Sequence, residues 1–347
     1  MEVWEGRFRV RNAAKKIKGR EDLGEMPEEL LLTIRGFQES RVILTGIELN
    51  VFAAIGDGAA AKEVAGKIGT DARATEMLLN ALVAMGMLTK SGEVYHCTRV
   101  TARFFGGKSA DDARAAMMHT VHLWERWSTL TECVRAGTSM ARRETAGGDD
   151  WTEAFIAAMH RNARARAPHV VRAVGVRGAR RMLDVGGGSG AYSIAFAQAN
   201  EKLQVELLDL AEVLPIAQRH IEEAELSARI KPRAGDLRSD VFGEGYDLIL
   251  VSAICHMLGP EGNRDLLKRC HAALAPEGRV VISDFILEAD KAGPKHAALF
   301  ALNMLVGTRE GSSYSENEYG EWLREAGFRK VQRVRLPGPA HLMVGTR

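Results

Sequence analysis

Apolar residues in the first third of the chain recur at helical spacing and then change to a strand pattern. Between Pro27 and Ile55 they return at intervals typical of amphipathic helices. Two further helices are predicted over residues 59–68 and 72–85, and the residues around Ser91-Gly92 predict a hairpin of two short strands. Helices followed by a hairpin are the element order of a winged-helix domain.

The rest of the chain changes from helices to alternating strands and helices. The residues over 111–167 are helical in pattern, with a polar break at 141–150. From Arg180 onward, short apolar strands alternate with helices, and we place helices between the first five strands. This pattern predicts βαβ crossovers and a mostly parallel sheet. The last two strands, joined by one turn around Pro337, are expected to be antiparallel.

The predicted fold class is therefore α/β, a doubly wound Rossmann-like sheet preceded by a mainly helical winged-helix domain. The predicted boundaries are a basic N-terminal tail over 1–26, the winged-helix domain over 27–110, a helical connector over 111–167 and the sheet domain over 168–347. At roughly 150 residues per domain, 347 residues are enough for this arrangement.

Composition and charge exclude several classes of protein. Apolar residues make up 46% and charged residues 27%, which is ordinary for a soluble globular protein. Lys and Arg number 47 against 45 Asp and Glu, so the net charge of +2 gives no electrostatic footprint for nucleic acid or anionic membrane. The four cysteines lack CxxC spacing, and no apolar run has the length of a membrane span or a secretory signal. We therefore expect a cytoplasmic protein.

The motif LDVGGGSG joins the first strand of the sheet domain to a helix. Gly186, Gly188 and Gly190 allow a sharp turn and let a ligand approach the backbone, and the helix presents unpaired N–H groups. The spacing is G-x-G-x-G preceded by Asp184, whereas dinucleotide-binding enzymes, the alternative, carry G-x-G-x-x-G. It is similar to motif I of S-adenosylmethionine-dependent methyltransferases, where the acid can meet the cationic methionine end of the cofactor.

Two further acids follow successive strands. Asp209 ends the second strand, where a carboxylate can accept hydrogen bonds from ribose hydroxyls, and Leu210 lies beside it. Gly235 and Asp236 follow the third strand, and Asp236 is placed to take an adenine amino group with Leu237 against the ring. Either acid taken alone is equally explained as a helix cap. Three acids at successive strand ends favour the cofactor site.

With these residues in place, the sequence resembles the two-domain small-molecule O-methyltransferases, which include plant phenolic enzymes and acetylserotonin O-methyltransferase. The matching segments are GIELNVFAAIGDG, ATEMLLNALVAMGML, LDVGGGSG, APEGRVVISDFIL and EYGEWLREAGF. The resemblance implies that the chain uses S-adenosylmethionine, releases S-adenosylhomocysteine, methylates the hydroxyl group of a small aromatic acceptor and forms a homodimer through its first domain. It also places Ser252 at a cofactor contact that is often Lys in the family.

The resemblance further implies a catalytic base. His256 lies at the position of the family's base and Asp284 at that of an acid that orients it. Histidine suits removal of a phenol proton because its pKa lies near the working pH. Met257-Leu258 replaces the usual Asp-Trp pair, and the second acid position is Ser313, with Glu310 nearby but out of register. The alternative is a His256 that contacts cofactor or acceptor without proton transfer.

Helices before the sheet and after its fifth strand are implied as the walls of the acceptor site. The candidates are Phe155, Met159 and His160 on the first helix and Asn303 and Met304 on the second. Apolar and sulfur side chains suit a flat aromatic ring, with ordinary helix packing as the alternative. Asn303 is expected to bond the acceptor or to hold the base, because a carboxamide on an apolar helix needs a partner.

The same sequence suggests two alternative functions and one alternative metal site. The family scaffold also serves carbon nucleophiles, so C-methylation of an activated ring or keto acid stays open. A winged-helix DNA-binding regulator is disfavoured, because the candidate recognition helix over 71–85 has one basic residue against two acids. No metal is expected, although His256, Asp284 and His296 form an alternative ligand set whose spacing is not diagnostic.

Overall fold

A computed structural model of the chain describes residues 26–109, 111–140 and 149–347; of the side chains over 149–157, it describes that of Ile156 alone. Apart from Met26, the predicted basic tail lies outside these residues, as do residues 141–148 of the predicted break over 141–150, whose last two residues begin a helix. The chain forms two compact units that meet in sequence between Arg114 and Ala115.

The first unit contains helices packed with a small antiparallel sheet. Its elements are α1 (Glu28–Arg35), α2 (Phe37–Glu48), α3 (Val51–Ile55), β1 (Ala59–Ala60), α4 (Ala61–Ile68), α5 (Ala72–Ala84), β2 (Leu88–Ser91), β3 (Val94–Cys97) and α6 (Arg99–Phe105). The strand order is β1-β3-β2, and Ser91 pairs with Val94 across the turn, so the predicted hairpin is confirmed. Val51, Phe52 and Leu79 are buried in its core.

One element of this unit differs from the prediction. Residues 59–60, expected to open a helix, form β1, because Ala59 pairs with Tyr95 of β3. Helix α4 begins immediately afterwards, and the Glu63 carboxylate accepts a hydrogen bond from the Ala60 amide at 3.0 Å. The next helix starts as expected, with the Asp71 carboxylate accepting from the Ala74 amide at 2.8 Å.

The second unit is an α/β domain. Its helices are α7 (Arg114–Ser128, which starts at the last residue of the first unit), α8 (Leu130–Ala136), α9 (Asp149–Val174), α10 (Ala191–Ala199), α11 (Leu214–Glu223), α12 (Pro260–Ala273), α13 (Lys295–Gly307) and α14 (Glu316–Glu325). Its strands are β4 (Arg181–Val185), β5 (Gln204–Asp209), β6 (Ile230–Ala234), β7 (Tyr246–Ser252), β8 (Leu274–Asp284), β9 (Arg329–Val334) and β10 (His341–Thr346). In the described part of the chain, every helix is too short or too polar to span a bilayer.

These strands form one seven-stranded sheet in the order β6-β5-β4-β7-β8-β10-β9. Strands β4 to β8 run parallel and β10 runs antiparallel to both of its neighbours, which confirms the predicted sheet and its antiparallel last pair. Side chains alternate between two apolar clusters, so that Leu183 joins one and Met182 the other. The chain order reverses beside β4, and ligands of such sheets bind at this switch point.

The connection from β6 to β7 corrects the prediction of helices between all five strands. Residues 235–245 form turns instead of a helix. The Asp236 carboxylate accepts from the Arg238 amide at 2.9 Å, which closes a local turn. Gly243 and Gly245 then adopt positive φ of 85° and 79°, a conformation that a helix does not use.

Candidate functional site

The glycine loop after β4 is shaped both by packing and by backbone conformation. Gly186, Gly188 and Gly190 all have positive φ, at 67°, 55° and 77°. A methyl group added to Gly186 would clash with the end of the Ile254 side chain, which would have to shift, so packing and backbone conformation both favour glycine here. A methyl group on Gly188 would meet no atom within 4 Å. The backbone at Gly188 therefore borders open space that a ligand can approach closely.

Asp184 lies beneath this loop. Its side chain is 1% exposed, and its Oδ2 accepts a hydrogen bond from Ser193 Oγ at 2.6 Å. Burial raises the pKa of this carboxyl group to about 6, and the nearby charge of Asp209 contributes in the same direction. Asp184 thus braces the helix that follows the loop. Its predicted contact with a cationic ligand group stays a prediction.

Asp209 binds the loop to the neighbouring strand. Its Oδ2 accepts from the Gly188 amide at 2.7 Å and its Oδ1 from the Leu210 amide at 2.8 Å. Burial raises the pKa of this carboxyl group, while these two backbone hydrogen bonds lower it. The Leu210 side chain is 44% exposed, an apolar surface at the same sheet edge. Asp209 and the loop are therefore one structural unit.

The third acid mainly shapes its own turn. The Asp236 carboxylate accepts a hydrogen bond from the Arg238 amide, and the Asp236 amide donates to Asp240 Oδ2 at 2.9 Å. A methyl group on Gly235 would lie 2.7 Å from Leu208 Cδ1, which explains the glycine. No helix follows Asp236, so the helix-cap interpretation does not apply: its carboxylate closes a turn, and its contact with adenine stays a prediction. Two predicted neighbours are half-buried: Leu237 beside Gly186, and Ser252 at the end of β7.

His256 and Asp284 are brought together at the ends of two adjacent parallel strands. His256 follows β7 in a short 3₁₀ turn (Cys255–Met257), and Asp284 is the last residue of β8. The His256 Nδ1 lies 2.7 Å from Asp284 Oδ1, and the His256 amide donates to Asp284 Oδ2 at 3.1 Å. Their exposed fractions are 6% and 1%. A carboxylate at Nδ1 assigns the proton to that nitrogen and leaves Nε2 with a free lone pair.

Asp284 receives two additional donors. The Phe285 amide donates to its Oδ1 at 2.8 Å, and Tyr319 Oη, from α14, donates to its Oδ2 at 3.2 Å. Ser313, at the expected second acid position, is buried and its hydroxyl has no hydrogen-bond partner among the described residues. Tyr319 was not predicted as a site residue, although it lies in the matching segment EYGEWLREAGF. Asp284 therefore holds His256 and is itself bonded by a tyrosine and backbone amides, with no second acid among its partners in the described part of the chain.

Aromatic rings border His256 on one side. Phe300 of α13 meets the imidazole edge-on, with ring centroids 4.8 Å apart. Phe285 stacks on Phe300 at 4.1 Å. Neither ring was predicted as a site residue, although Phe285 directly follows Asp284 in sequence. Together they form an apolar, flat-sided boundary next to the imidazole.

The acceptor-wall candidates have different surroundings. Asn303 Oδ1 accepts from Trp127 Nε1 of α7 at 2.9 Å, so its partner in the structure is an indole. Met304 is 8% exposed and Met159 is half-buried. His160 contacts the glycine loop, with Nδ1 2.9 Å from Ser189 Oγ. Phe155 lies in α9, but its side chain is outside the described residues.

The alternative metal ligands are not brought together. His296 Nε2 is hydrogen-bonded to the Pro339 carbonyl. Among the residues that the structure describes, no three His, Cys, Asp or Glu side chains are placed to hold a metal ion.

Comparison with protein families gives a match in each part of the chain. An O-methyltransferase domain matches residues 134–329, and an O-methyltransferase dimerisation domain matches residues 31–106. The first match alone covers more than half of the chain.

Individual relatives extend over almost the whole length. The 3-hydroxy-5-methyl-1-naphthoate 3-O-methyltransferase of Streptomyces sahachiroi is 33% identical, over 88% of this chain and 90% of the relative. The L-tyrosine C(3)-methyltransferase of Streptomyces lavendulae is 29% identical over 92% and 93%. The solved structure of PigF with SAH is 27% identical, with a TM-score of 0.85 over 93% of this chain and 100% of that one.

Proposed function

We propose a specific reaction for this chain, which belongs to the S-adenosylmethionine-dependent O-methyltransferase family with an N-terminal dimerisation domain. As a member, it is a small-molecule methyltransferase. The proposal is that it methylates a hydroxyl group of a small aromatic acceptor, with His256 as the general base. The observation that carries the proposal is the buried His256–Asp284 pair, which leaves Nε2 available as a proton acceptor.

The loop and the acids of the switch point fit the cofactor. The open space above Gly188 admits a ligand against the backbone, and Asp209 presents a carboxylate beside it. We assign the ribose to Asp209, the adenine to Leu210, Gly235, Asp236 and Leu237, and the methionine end to the loop and Asp184. Ser252, at the end of β7, is assigned to the same ligand.

When bound, S-adenosylmethionine supplies an electrophilic methyl group on a sulfonium and leaves as neutral S-adenosylhomocysteine. His256 Nε2 takes the acceptor's hydroxyl proton as the oxygen attacks that methyl carbon in line. Asp284 stabilises the imidazolium and holds the ring in place. Positioning of the two reactants can supply roughly 7–11 kcal/mol of the barrier. The chain's own contribution is thus orientation plus one proton transfer.

The surroundings of the base support an aromatic acceptor. Phe300 and Phe285 offer a ring-sized apolar boundary, and Asn303 with Trp127 offers polar groups on the adjoining helices. We assign Met159 and Met304 to the acceptor walls as well, together with Phe155. One relative acts, by its name, on a hydroxynaphthoate. Hydroxylated bicyclic aromatic acids are therefore the first acceptors to test.

A screen with methyl-labelled S-adenosylmethionine tests this function. Phenols, catechols, quinols, hydroxynaphthoates and keto acids are incubated with the enzyme, and products are read by mass spectrometry and NMR. We expect a methoxy product from a hydroxylated aromatic compound. Label only in aliphatic acids, or no label with any hydroxylated aromatic compound, would contradict the proposed acceptor class.

C-methylation is the second candidate, and the tyrosine C(3)-methyltransferase relative favours it. The same base serves both reactions, because removing a phenol proton also makes the ring carbon ortho to the oxygen nucleophilic. The screen separates them, since the label then appears as an aryl methyl group and not as a methoxy group.

We also propose that the protein is a homodimer through its first domain. The dimerisation-domain match covers 31–106, and α1 within that region has no buried residue. Three apolar side chains in or next to it are more than half exposed: Leu32, Ile34 and Phe37. Exposed apolar side chains of this kind are expected to be covered by a partner. Light scattering of the purified protein should report twice the chain mass, and an active monomer would contradict this.

A further inference from the structure

His160 lies where helix α9 meets the glycine loop. Its Nδ1 is 2.9 Å from Ser189 Oγ, and Ser189 stands between Gly188 and Gly190 with 5% exposure. On its other side, the His160 ring stacks on His220 of α11, with centroids 4.1 Å apart and planes 14° from parallel. One imidazole therefore connects the loop to two helices.

We propose that His160 is a positioning residue for cofactor binding, which holds the glycine loop through Ser189. The inference rests on the proposed function, because that function assigns the loop to S-adenosylmethionine. It reassigns His160 from the acceptor wall, where the sequence places it, to the cofactor side of the site.

The loop needs such an anchor because of its glycines. Gly186, Gly188 and Gly190 have large conformational freedom in an unbound chain, and any ordering left to the ligand reduces affinity. The Gly188 amide is held from β5 by Asp209 at 2.7 Å. Ser189 is the next residue and is held from α9. The two bonds reach adjacent residues from different elements, and together they fix the loop before the ligand arrives.

The environment of His160 keeps the imidazole neutral at neutral pH. Burial lowers its pKa, and the adjacent His220 and Arg164 lower it further, while Glu223 opposes them. A neutral ring has one N–H and one lone pair, and a serine hydroxyl can serve either as donor or as acceptor. The bond to Ser189 is thus satisfied in either tautomer.

Two substitutions separate the hydrogen bond from the ring stack. His160→Phe keeps an aromatic ring for His220 and removes the bond, whereas His160→Asn keeps an amide near the Nδ1 position and removes the ring. Ser189→Ala removes the bond from the other side. The Kd of S-adenosylhomocysteine is measured by titration calorimetry for each variant and for the double variant, with melting temperatures to confirm folding.

We expect His160→Phe and Ser189→Ala each to raise the Kd about 5- to 10-fold, the effect of one buried hydrogen bond. His160→Asn should stay within about threefold of the wild type, and the double variant should be no worse than either single one, because both remove the same bond. The acceptor KM at saturating cofactor should stay within about twofold. If His160→Phe does not fold, Ser189→Ala carries the test.

Two results would overturn the inference. One is that Ser189→Ala and His160→Phe leave the Kd of S-adenosylhomocysteine unchanged while Asp209→Ala raises it. The cofactor site would then be assigned correctly, but His160 would not position it. The other is a shift in the acceptor KM instead of the Kd, which would return His160 to the acceptor wall. If Asp209→Ala also leaves the Kd unchanged, the proposed cofactor site itself fails.

Discussion

Two aspartates at the carboxyl ends of parallel strands are equally buried and yet differently supplied with donors. Asp184 at the end of β4 and Asp284 at the end of β8 are each 1% exposed. Asp184 is bonded by Ser193, and burial raises its pKa to about 6. Asp284 accepts from a histidine ring, two backbone amides and a tyrosine hydroxyl.

The difference separates two uses of a buried carboxyl group. Hydrogen bonds to the charged form favour it, while burial without enough donors disfavours it. Asp284 has donors on both of its oxygens and holds the imidazole that we propose as the base. Asp184 has fewer donors and braces a loop, where a ligand's positive charge would complete its environment.

Removing the imidazole held by Asp284 should have the largest effect. We expect His256→Ala to lower kcat about 10²- to 10⁴-fold, the usual contribution of a general base, while the Kd of S-adenosylhomocysteine changes little. Steady-state kinetics and calorimetry check the two values. His271→Ala, a histidine packed on Phe328 outside the site, is the matched control. A kcat within about threefold of the wild type across pH 6–9 would show that positioning suffices without proton transfer.

On the cofactor side, Asp209→Ala should weaken S-adenosylhomocysteine binding about 10- to 100-fold. The variant removes the proposed ribose acceptor and also the bond to the Gly188 amide. Calorimetry measures the Kd, and far-ultraviolet circular dichroism confirms the fold. Glu212→Ala, which removes an exposed acid close by, should leave the Kd unchanged. If both variants bind S-adenosylhomocysteine with the same Kd, the assignment of Asp209 to the ribose is wrong.

Asp184 gives a stability prediction with a definite sign. Its pKa is raised from 3.8 to about 6 in the folded state, so the folded state binds the proton more tightly than the unfolded state. The protonated group therefore stabilises the folded state below about pH 4, and this stabilisation is lost as the pH rises to about 6. The loss lowers the free energy of unfolding by at most about 3 kcal/mol.

Asp184→Asn, which resembles the protonated acid, should accordingly raise the free energy of unfolding of the unliganded protein at pH 7.5 by about 2 kcal/mol. Denaturant unfolding at pH 4.5 and pH 7.5 checks this, and the gain should shrink at the lower pH. A variant that is less stable than the wild type at pH 7.5 would show that Asp184 is adequately supplied with donors as a carboxylate.

Tyr319→Phe should produce the smallest effect, because Asp284 keeps its other donors. We expect kcat to fall about 3- to 10-fold at unchanged cofactor affinity, with the acid limb of the pH–rate profile moved to higher pH. Loss of the tyrosine hydrogen bond leaves more negative charge facing His256. Tyr314→Phe, whose hydroxyl donates to the Leu258 carbonyl in the same aromatic cluster, is the control. If the pH–rate profiles of Tyr319→Phe and the wild type are the same, the Tyr319 hydrogen bond has only a structural role.

The two sides of the site also differ in how far the sequence predicts them. The glycine loop and Asp184 were predicted because one local segment, strand then glycines then helix, shows a characteristic spacing, and Asp209 and Asp236 were predicted because each follows a strand. Asp284 was placed by resemblance, and its contact with His256 follows from adjacent parallel strands. The hairpin and the order of strands and helices were predicted in the same local way, apart from strand β1 and the turns over 235–245.

The contacts that complete the site join distant parts of the chain. Tyr319 reaches Asp284 across 35 residues, and Trp127 reaches Asn303 across 176. His160 meets Ser189 across 29 residues, between a helix and a loop. No spacing rule connects such pairs, because tertiary packing brings them together. Phe300 was missed for the same reason, since its position on an apolar helix is equally typical of the core.

A crystal structure of the protein with S-adenosylhomocysteine tests most directly whether the glycine loop and Asp209 hold the cofactor beside His256. We expect the ribose hydroxyls within hydrogen-bond distance of Asp209, the homocysteine backbone along the loop from Gly186 to Gly190, and the sulfur facing the side of the site that holds His256. A nucleoside bound elsewhere, or a sulfur turned away from His256, would contradict it.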